Sequence, residues 1–385
     1  MKNYLPSRLT KKAPQWLKCG GGFAAVMLGA TSFAQDAAPP LGRLPTVHEE
    51  ILLALDAAPL KLQFRGSSPA ELAAWQREFG TKLSGLIGPH TPPKTWKVRT
   101  LSTREFPDHT REELLLEADA TPALPLYVLR PKTPGAKRFP IVLCLHGHGG
   151  FGHDPVAGVD DTPALQAEIL KMNYDYGRQL VREGYLAVVP CFTPFGRRLD
   201  AKTRAGRSDP CAAAFVRLMY LGRTVLGENL RDAMWALDYA TARSDARADQ
   251  VGCVGLSYGG RMTMVVTALD PRIRVAVISG ALNVFQERMQ SAGASCGSQV
   301  IPGLLEWGDT PEIGSLIAPR PVIWEAGRQD ALMVPGWLEK ASARIQRAYA
   351  AAGRAENFAL HRFDGGHAWN GETAIPLLAK VLKEQ

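Results

Sequence analysis

Six residues constrain this chain more than any others: Gly255-Leu256-Ser257-Tyr258-Gly259-Gly260, directly after the apolar run Val251-Gly252-Cys253-Val254. The run reads as a short buried strand, and Arg261-Met262-Thr263-Met264-Val265-Val266 continues as a helix that can pack on a sheet. A strand that turns straight into a helix leaves little room at the corner. Side chains at 255 and 259 would collide with neighbouring backbone, so both positions call for glycine. Ser257 then sits on a strained turn with its hydroxyl held out, the posture of a nucleophile.

The flanking sequence repeats this strand–helix alternation from residue 140 onward, which implies a mostly parallel sheet with helices on both faces. Ile141–Leu145, Tyr185–Val189, Val275–Ile278, Pro321–Trp324 and Phe358–Phe363 read as strands. Ala164–Glu183, Asn229–Ala242, Val334–Ala352 and Ile375–Leu382 read as helices. Before 140, three segments read as antiparallel first strands: Trp96–Leu101, Glu113–Glu117 and Leu126–Leu129, the last beginning after Pro125. Residues 191–222 and 281–317 break the rhythm, and long insertions over a regular sheet usually line a binding site.

The N-terminal part divides in two. Lys2, Arg8, Lys11, Lys12 and Lys18 precede a short apolar run, Gly22–Ala30, and Ser32-Phe33-Ala34 offers small residues for cleavage after Ala34. Residues 1–34 are therefore expected to be a secretory signal peptide, too short in its apolar part for a stable membrane anchor. Residues 35–95 are expected to be a helical N-terminal extension, with helices over Val47–Leu60 and Pro69–Ile87 and Ser67 or Ser68 as N-cap. Residues 96–385 are expected to be the catalytic domain. Five of the chain's formal +8 charges lie in the first segment, leaving +3. No basic stripe interleaved with aromatics is present, so nucleic acid is not an expected partner. Of the cysteines beyond residue 34, Cys144 and Cys253 fall in buried strands. Cys191, Cys211 and Cys296 fall near loops, and Cys211–Cys296 is the expected pair if export oxidises them.

A serine nucleophile needs a base and an acid to orient it. Asp330 follows the Pro321–Trp324 strand and His367 follows the Phe358–Phe363 strand, so both belong to the strand edge that carries Ser257. Glu325, at the end of the acid strand, is the rival carboxylate; Asp364 is too near His367 in sequence to serve. The oxyanion hole needs two backbone N–H groups. Tyr258 supplies one, and the loop His146-Gly147-His148-Gly149-Gly150 after the 141–145 strand supplies the other, through His148 first and Gly147 next. His146, His148, His153 and Asp154 are rich in metal-ligating types but do not follow the helical HExxH spacing, and glycine density suits an oxyanion loop better. Neither a metal nor another cofactor is expected.

With HGHGG at 146–150, GLSYGG at 255–260, Ala318-Pro319-Arg320-Pro321, Asp330 and Gly365-Gly366-His367 together, the chain resembles the α/β-hydrolase superfamily over roughly residues 96–385. Within it the chain resembles the dienelactone hydrolase-like and acetyl xylan esterase-like branches. The resemblance implies the α/β-hydrolase fold and a serine esterase acting on a small-molecule or carbohydrate ester. Dienelactone hydrolases proper use a cysteine nucleophile, so Ser257 argues for ordinary esters. The GxSYGG run is also similar to the prolyl oligopeptidase family, which leaves a serine peptidase or amidase as the alternative. A non-catalytic binding protein of the same fold is a third reading, weakened by the presence of all three triad residues. Phe151, Trp307 and Trp369 lie near the expected site loops, as carbohydrate-contacting aromatics or as simple packing.

Overall fold

The computed structural model describes residues 46–199, 209–291 and 296–384. The expected signal peptide lies outside the described residues. Nine strands form one sheet: β1 (Lys97–Glu105), β2 (His109–Ala118), β3 (Thr121–Pro131), β4 (Phe139–Leu145), β5 (Leu186–Pro190), β6 (Ala246–Leu256), β7 (Ile273–Ser279), β8 (Val322–Gly327) and β9 (Phe358–Phe363). Their order is β1-β2-β3-β5-β4-β6-β7-β8-β9. The pairs β1–β2, β2–β3 and β3–β5 are antiparallel, and the rest are parallel. This is the α/β-hydrolase fold.

The parallel strands are apolar because both faces are covered. In β4, Ile141, Leu143 and Leu145 point into one core cluster, while Val142 and Cys144 point into the other. The helix Pro69–Ile87 joins the first of these clusters. Leu72, Trp75, Phe79, Leu83 and Ile87 recur at helical spacing and are buried. Ser68 is its N-cap, in a capping box with Glu71. Residues from Val47 onward form one compact unit.

Several expected boundaries shift. Pro125 lies inside β3, opposite Leu115, and does not open the strand. The helix expected over Ala164–Glu183 is two helices, Pro163–Met172 and Tyr176–Arg182, broken at Asn173 in the left-handed region (φ 49°). The first helix stops at Asp56, short of Leu60. The insertions hold short helices, among them Pro210–Met219, Phe285–Arg288 and Thr310–Ser315. Among the described residues no helix is long and apolar enough to cross a membrane.

Candidate active site

Ser257 occupies the corner between β6 and the helix Tyr258–Leu269, at φ 63° and ψ −121°, a conformation costly for a residue with a Cβ. Close packing holds it there. A Cβ on Gly259 would lie 1.8 Å from the Leu145 carbonyl oxygen, and one on Gly255 would lie 2.4 Å from Gly259. The Ser257 N–H donates to the Ser279 carbonyl at 2.9 Å, tying the corner to the end of β7.

The last two strands, β8 and β9, carry the partners. His367 Nδ1 lies 2.6 Å from Asp330 Oδ2, so a proton on Nδ1 bonds the carboxylate and leaves Nε2 as the acceptor. Asp330 is buried, and its other oxygen accepts the Leu332 N–H at 2.9 Å. The loops bearing the pair are stitched together. Gln329 N–H donates to the Gly365 carbonyl at 2.9 Å, and a Cβ on Gly327 would lie 2.2 Å from the Gly366 carbonyl. The close approach therefore demands glycine at 327, while nothing crowds a Cβ at 366. His367 packs on the Gly280 backbone, where a Cβ would lie 2.8 Å from Cε1. Gly280 (φ 59°) and Ser257 line the same cavity of about 260 Å³.

Glu325, the rival acid, faces elsewhere. It is buried at the end of β8, accepts the Ser279 hydroxyl at 2.6 Å, and accepts the backbone N–H of Gly371 at 2.9 Å and Asn370 at 3.3 Å. Burial pushes its carboxyl pKa up, against those hydrogen bonds. It braces the segment after His367. Asp364 accepts Gln329 Nε2 at 3.0 Å.

Of the oxyanion candidates, Tyr258 is the first helical residue, so its N–H has no acceptor within the helix. The Gly147 N–H already donates to the Tyr174 hydroxyl at 2.5 Å, which leaves the His148 N–H as the candidate of that loop. A Cβ on Gly147 would meet Ser257 Cβ at 3.1 Å, so the loop lies directly against the serine.

The histidine-rich segment divides. His146 is buried, accepts the Phe192 N–H on Nε2 at 2.8 Å, and is pushed down to a pKa of about 4 by burial. His153 is buried and likewise shifted well down. Only His148 turns toward the cavity, with Nε2 3.0 Å from both Cys296 Sγ and Ser298 Oγ. Donor atoms of His148, Cys211 and Cys296 lie within 4.8 Å of one another, a set that suits a soft metal ion by type. The two sulfurs expected to pair are thus neighbours, and both are thiols here. Phe151, Trp307 and Trp369 do not line the cavity. Trp369 is buried in the second core cluster with Phe151 packed against it, and Trp307 stacks under Lys82.

Three positioning residues escaped the sequence reading. Tyr174 holds the oxyanion loop. Asn229 bonds Thr193 N–H (2.8 Å), Thr193 O (2.7 Å) and the Tyr258 hydroxyl (2.8 Å). Arg261 is a buried cation in the cavity wall. Asn229 and Arg261 are buried polar residues on helices that pack on the sheet, and a polar residue among the apolar ones there was the available signal.

Residues 52–372 match the model of the Abhydrolase family, and the chain belongs to that family. It is 29% identical over 303 residues to YtaP of Bacillus subtilis (strain 168), a protein named as a hydrolase, covering 76% of this chain and 93% of that protein. A crystal structure named for an acetyl xylan esterase of Bacteroides fragilis NCTC 9343 superposes with a TM-score of 0.74 at 20% identity, covering 89% of this chain and 96% of that one. A glucuronoyl esterase from Solibacter usitatus superposes with a TM-score of 0.60 at 14% identity, covering 84% and 97%. At those identities the likeness is one of fold.

Proposed function

We propose that this protein is a serine hydrolase of carboxylic esters. The observation that carries the reading is the strained Ser257 corner beside a His367–Asp330 pair 2.6 Å apart, all at the carboxyl ends of parallel strands of one sheet. Ser257 Oγ attacks the ester carbonyl carbon while His367 Nε2 takes its proton. Asp330 fixes the tautomer and stabilises the imidazolium. The tetrahedral oxyanion accepts from the N–H groups of Tyr258 and His148. His367 then protonates the departing alcohol, and water activated by the same imidazole releases the acid from Ser257. His367 carries every proton, so the cycle calls on no cofactor.

Esters of carbohydrates are the proposed natural class, in keeping with the names of the structural neighbours. Export after cleavage near Ala34 follows from the basic and apolar N-terminal segments. In an oxidising compartment Cys211 and Cys296 form a disulfide joining the two insertions; intact mass after alkylation checks this, and five alkylated thiols in the exported protein argue against it. The central test is labelling by a fluorophosphonate followed by peptide mapping. Label on Ser257, with turnover of esters and not of anilides, supports the reading. An unlabelled Ser257 sinks it, and faster anilide turnover favours a peptidase.

A further inference from the structure

One wall of the cavity beside Ser257 is a buried positive charge with no carboxylate in direct contact. Arg261 follows Ser257 by one helical turn, and its N–H donates to the Ser257 carbonyl at 3.0 Å. It is only 4% exposed. Its guanidinium donates to Asn283 Oδ1 at 3.1 Å and to Thr310 Oγ1 at 3.4 Å, and lies 4.3 Å over the Phe285 ring. Both of those acceptors are neutral. Arg261 Nε has no hydrogen-bond partner among the described residues, and neither has Nδ2 of the fully buried Asn283. The nearby carboxylate of Asp309 is engaged by the backbone N–H groups of Phe285 (2.8 Å), Gln286 (3.0 Å) and Thr310 (2.5 Å).

Elsewhere in the same molecule a buried arginine is neutralised. Arg231 pairs with Glu228 at 2.6 Å and Asp232 at 2.7 Å. Arg261 has no such ion pair, and among the described residues no Asp or Glu lines the cavity, which Arg288 also lines. Burial, with Arg288 adding to it, drags the Arg261 pKa down to about 9 against the pull of Asp309. A desolvated guanidinium without an anion is a costly thing to keep, and a carboxylate in its fork would relieve that cost.

We propose that the cavity binds an ionised carboxylate of the substrate against Arg261 and Asn283, so that the preferred ester carries a second, free acid group. This deepens the esterase reading and rests on it for the reaction alone. A cavity of about 260 Å³ admits a short diacid or an acidic sugar ring.

Monoethyl adipate and its neutral counterpart, the ethyl ester of adipic acid monoamide, differ in charge and hardly in shape. Titrated calorimetrically into Ser257→Ala, the anionic ester should bind roughly ten-fold tighter or more. Equal affinities, or no measurable binding of either, overturn the proposal. In the unmodified enzyme kcat/KM should favour the anionic ester by a similar factor, and equal rates also overturn it. Arg261→Gln should bring the ratio toward one while Arg261→Lys keeps part of it; an unchanged ratio in a folded Arg261→Gln overturns the assignment to Arg261. If Arg261→Gln fails to fold, the two-ester comparison in the other proteins still decides. Preferential binding to Ser257→Ala without turnover by the unmodified enzyme would uphold the anion site and sink the esterase reading instead.

Discussion

Ser257, Asp330 and His367 hang from the ends of β6, β8 and β9, whereas Asn283, Arg288, Cys296 and Gln299 reach the same cavity from the long segment between β7 and β8. The strand ends are fixed by backbone geometry: ladders, glycine contacts below 3 Å, and carbonyl bonds between neighbouring turns. The insertions are fixed by side chains. The segment after β5 is pinned by Asn229 and by an ion cluster in which Arg198 and Arg231 both bond Asp232. A site built this way separates its tasks. On the proposed reading the sheet edge places the reacting atoms, and the insertions decide what reaches them.

The sharpest way to break that division is at its chemical centre. Ser257→Ala should lower ester kcat by roughly 10⁴-fold or more with little change in melting temperature, because the strain of the corner lies in the backbone. Near-normal turnover by purified, folded Ser257→Ala would mean that the chemistry does not belong to the strand edge. Asp330→Asn should cost on the order of 10⁴-fold in kcat by presenting the wrong tautomer of His367. Glu325→Gln should instead act chiefly on stability, since Glu325 holds Ser279 and the 370–371 backbone. The reverse pattern would exchange the two carboxylates.

The strand-end half of the comparison was legible in the sequence. An apolar run before GLSYGG, a carboxylate after one later strand and a histidine after the next are local patterns, and the parallel sheet brings them to one edge. The insertion half was not. Cys211 and Cys296 could be named as neighbours, but Asn229, Tyr174 and Arg261 act across 27 to 49 positions of sequence, where no periodicity records the partner. The αL break at Asn173 was equally hidden, because the apolar spacing continues on both sides of it.

Acid offers a second contrast, smaller in free energy. His146 is held neutral with a pKa near 4, against an ordinary value of about 6.5. Between those values the unfolded chain binds a proton that the folded chain refuses, so stability is full above about pH 6.5 and declines as pH falls toward 4. At pH 5 the loss from His146 is about 2 kcal/mol, and His153 adds to it in the same direction. The melting temperature should therefore drop by several degrees between pH 7.5 and pH 5, and a flat profile would contradict the burial of this pair. The kcat/KM profile, taken only where the fold is intact, should rise with pH, because a general base acts only when unprotonated, then stay level into mild alkali. A rate that falls between about pH 5 and 8 would contradict His367 as the base.

The smallest effect tests the boundary between the two halves, at Tyr258. Its N–H belongs to the strand-end machinery, while its side chain belongs to the insertion side, with the hydroxyl accepting from Asn229 and the ring against Phe192 and Phe195. Tyr258→Phe removes that one hydrogen bond and keeps the ring. Asn229 Nδ2 still donates to the Thr193 carbonyl, so its desolvation is only partly uncovered. The expected cost is about 1 kcal/mol of stability. Turnover should fall by only a few-fold, because the N–H at 258 is aimed by the corner at Ser257 and not by the hydroxyl. A loss of about 100-fold or more, with stability hardly changed, would give the hydroxyl a direct part in the reaction. The insertions would then shape the chemical step as well as access to it, and the division between sheet edge and insertions would fail at the residue where the two meet.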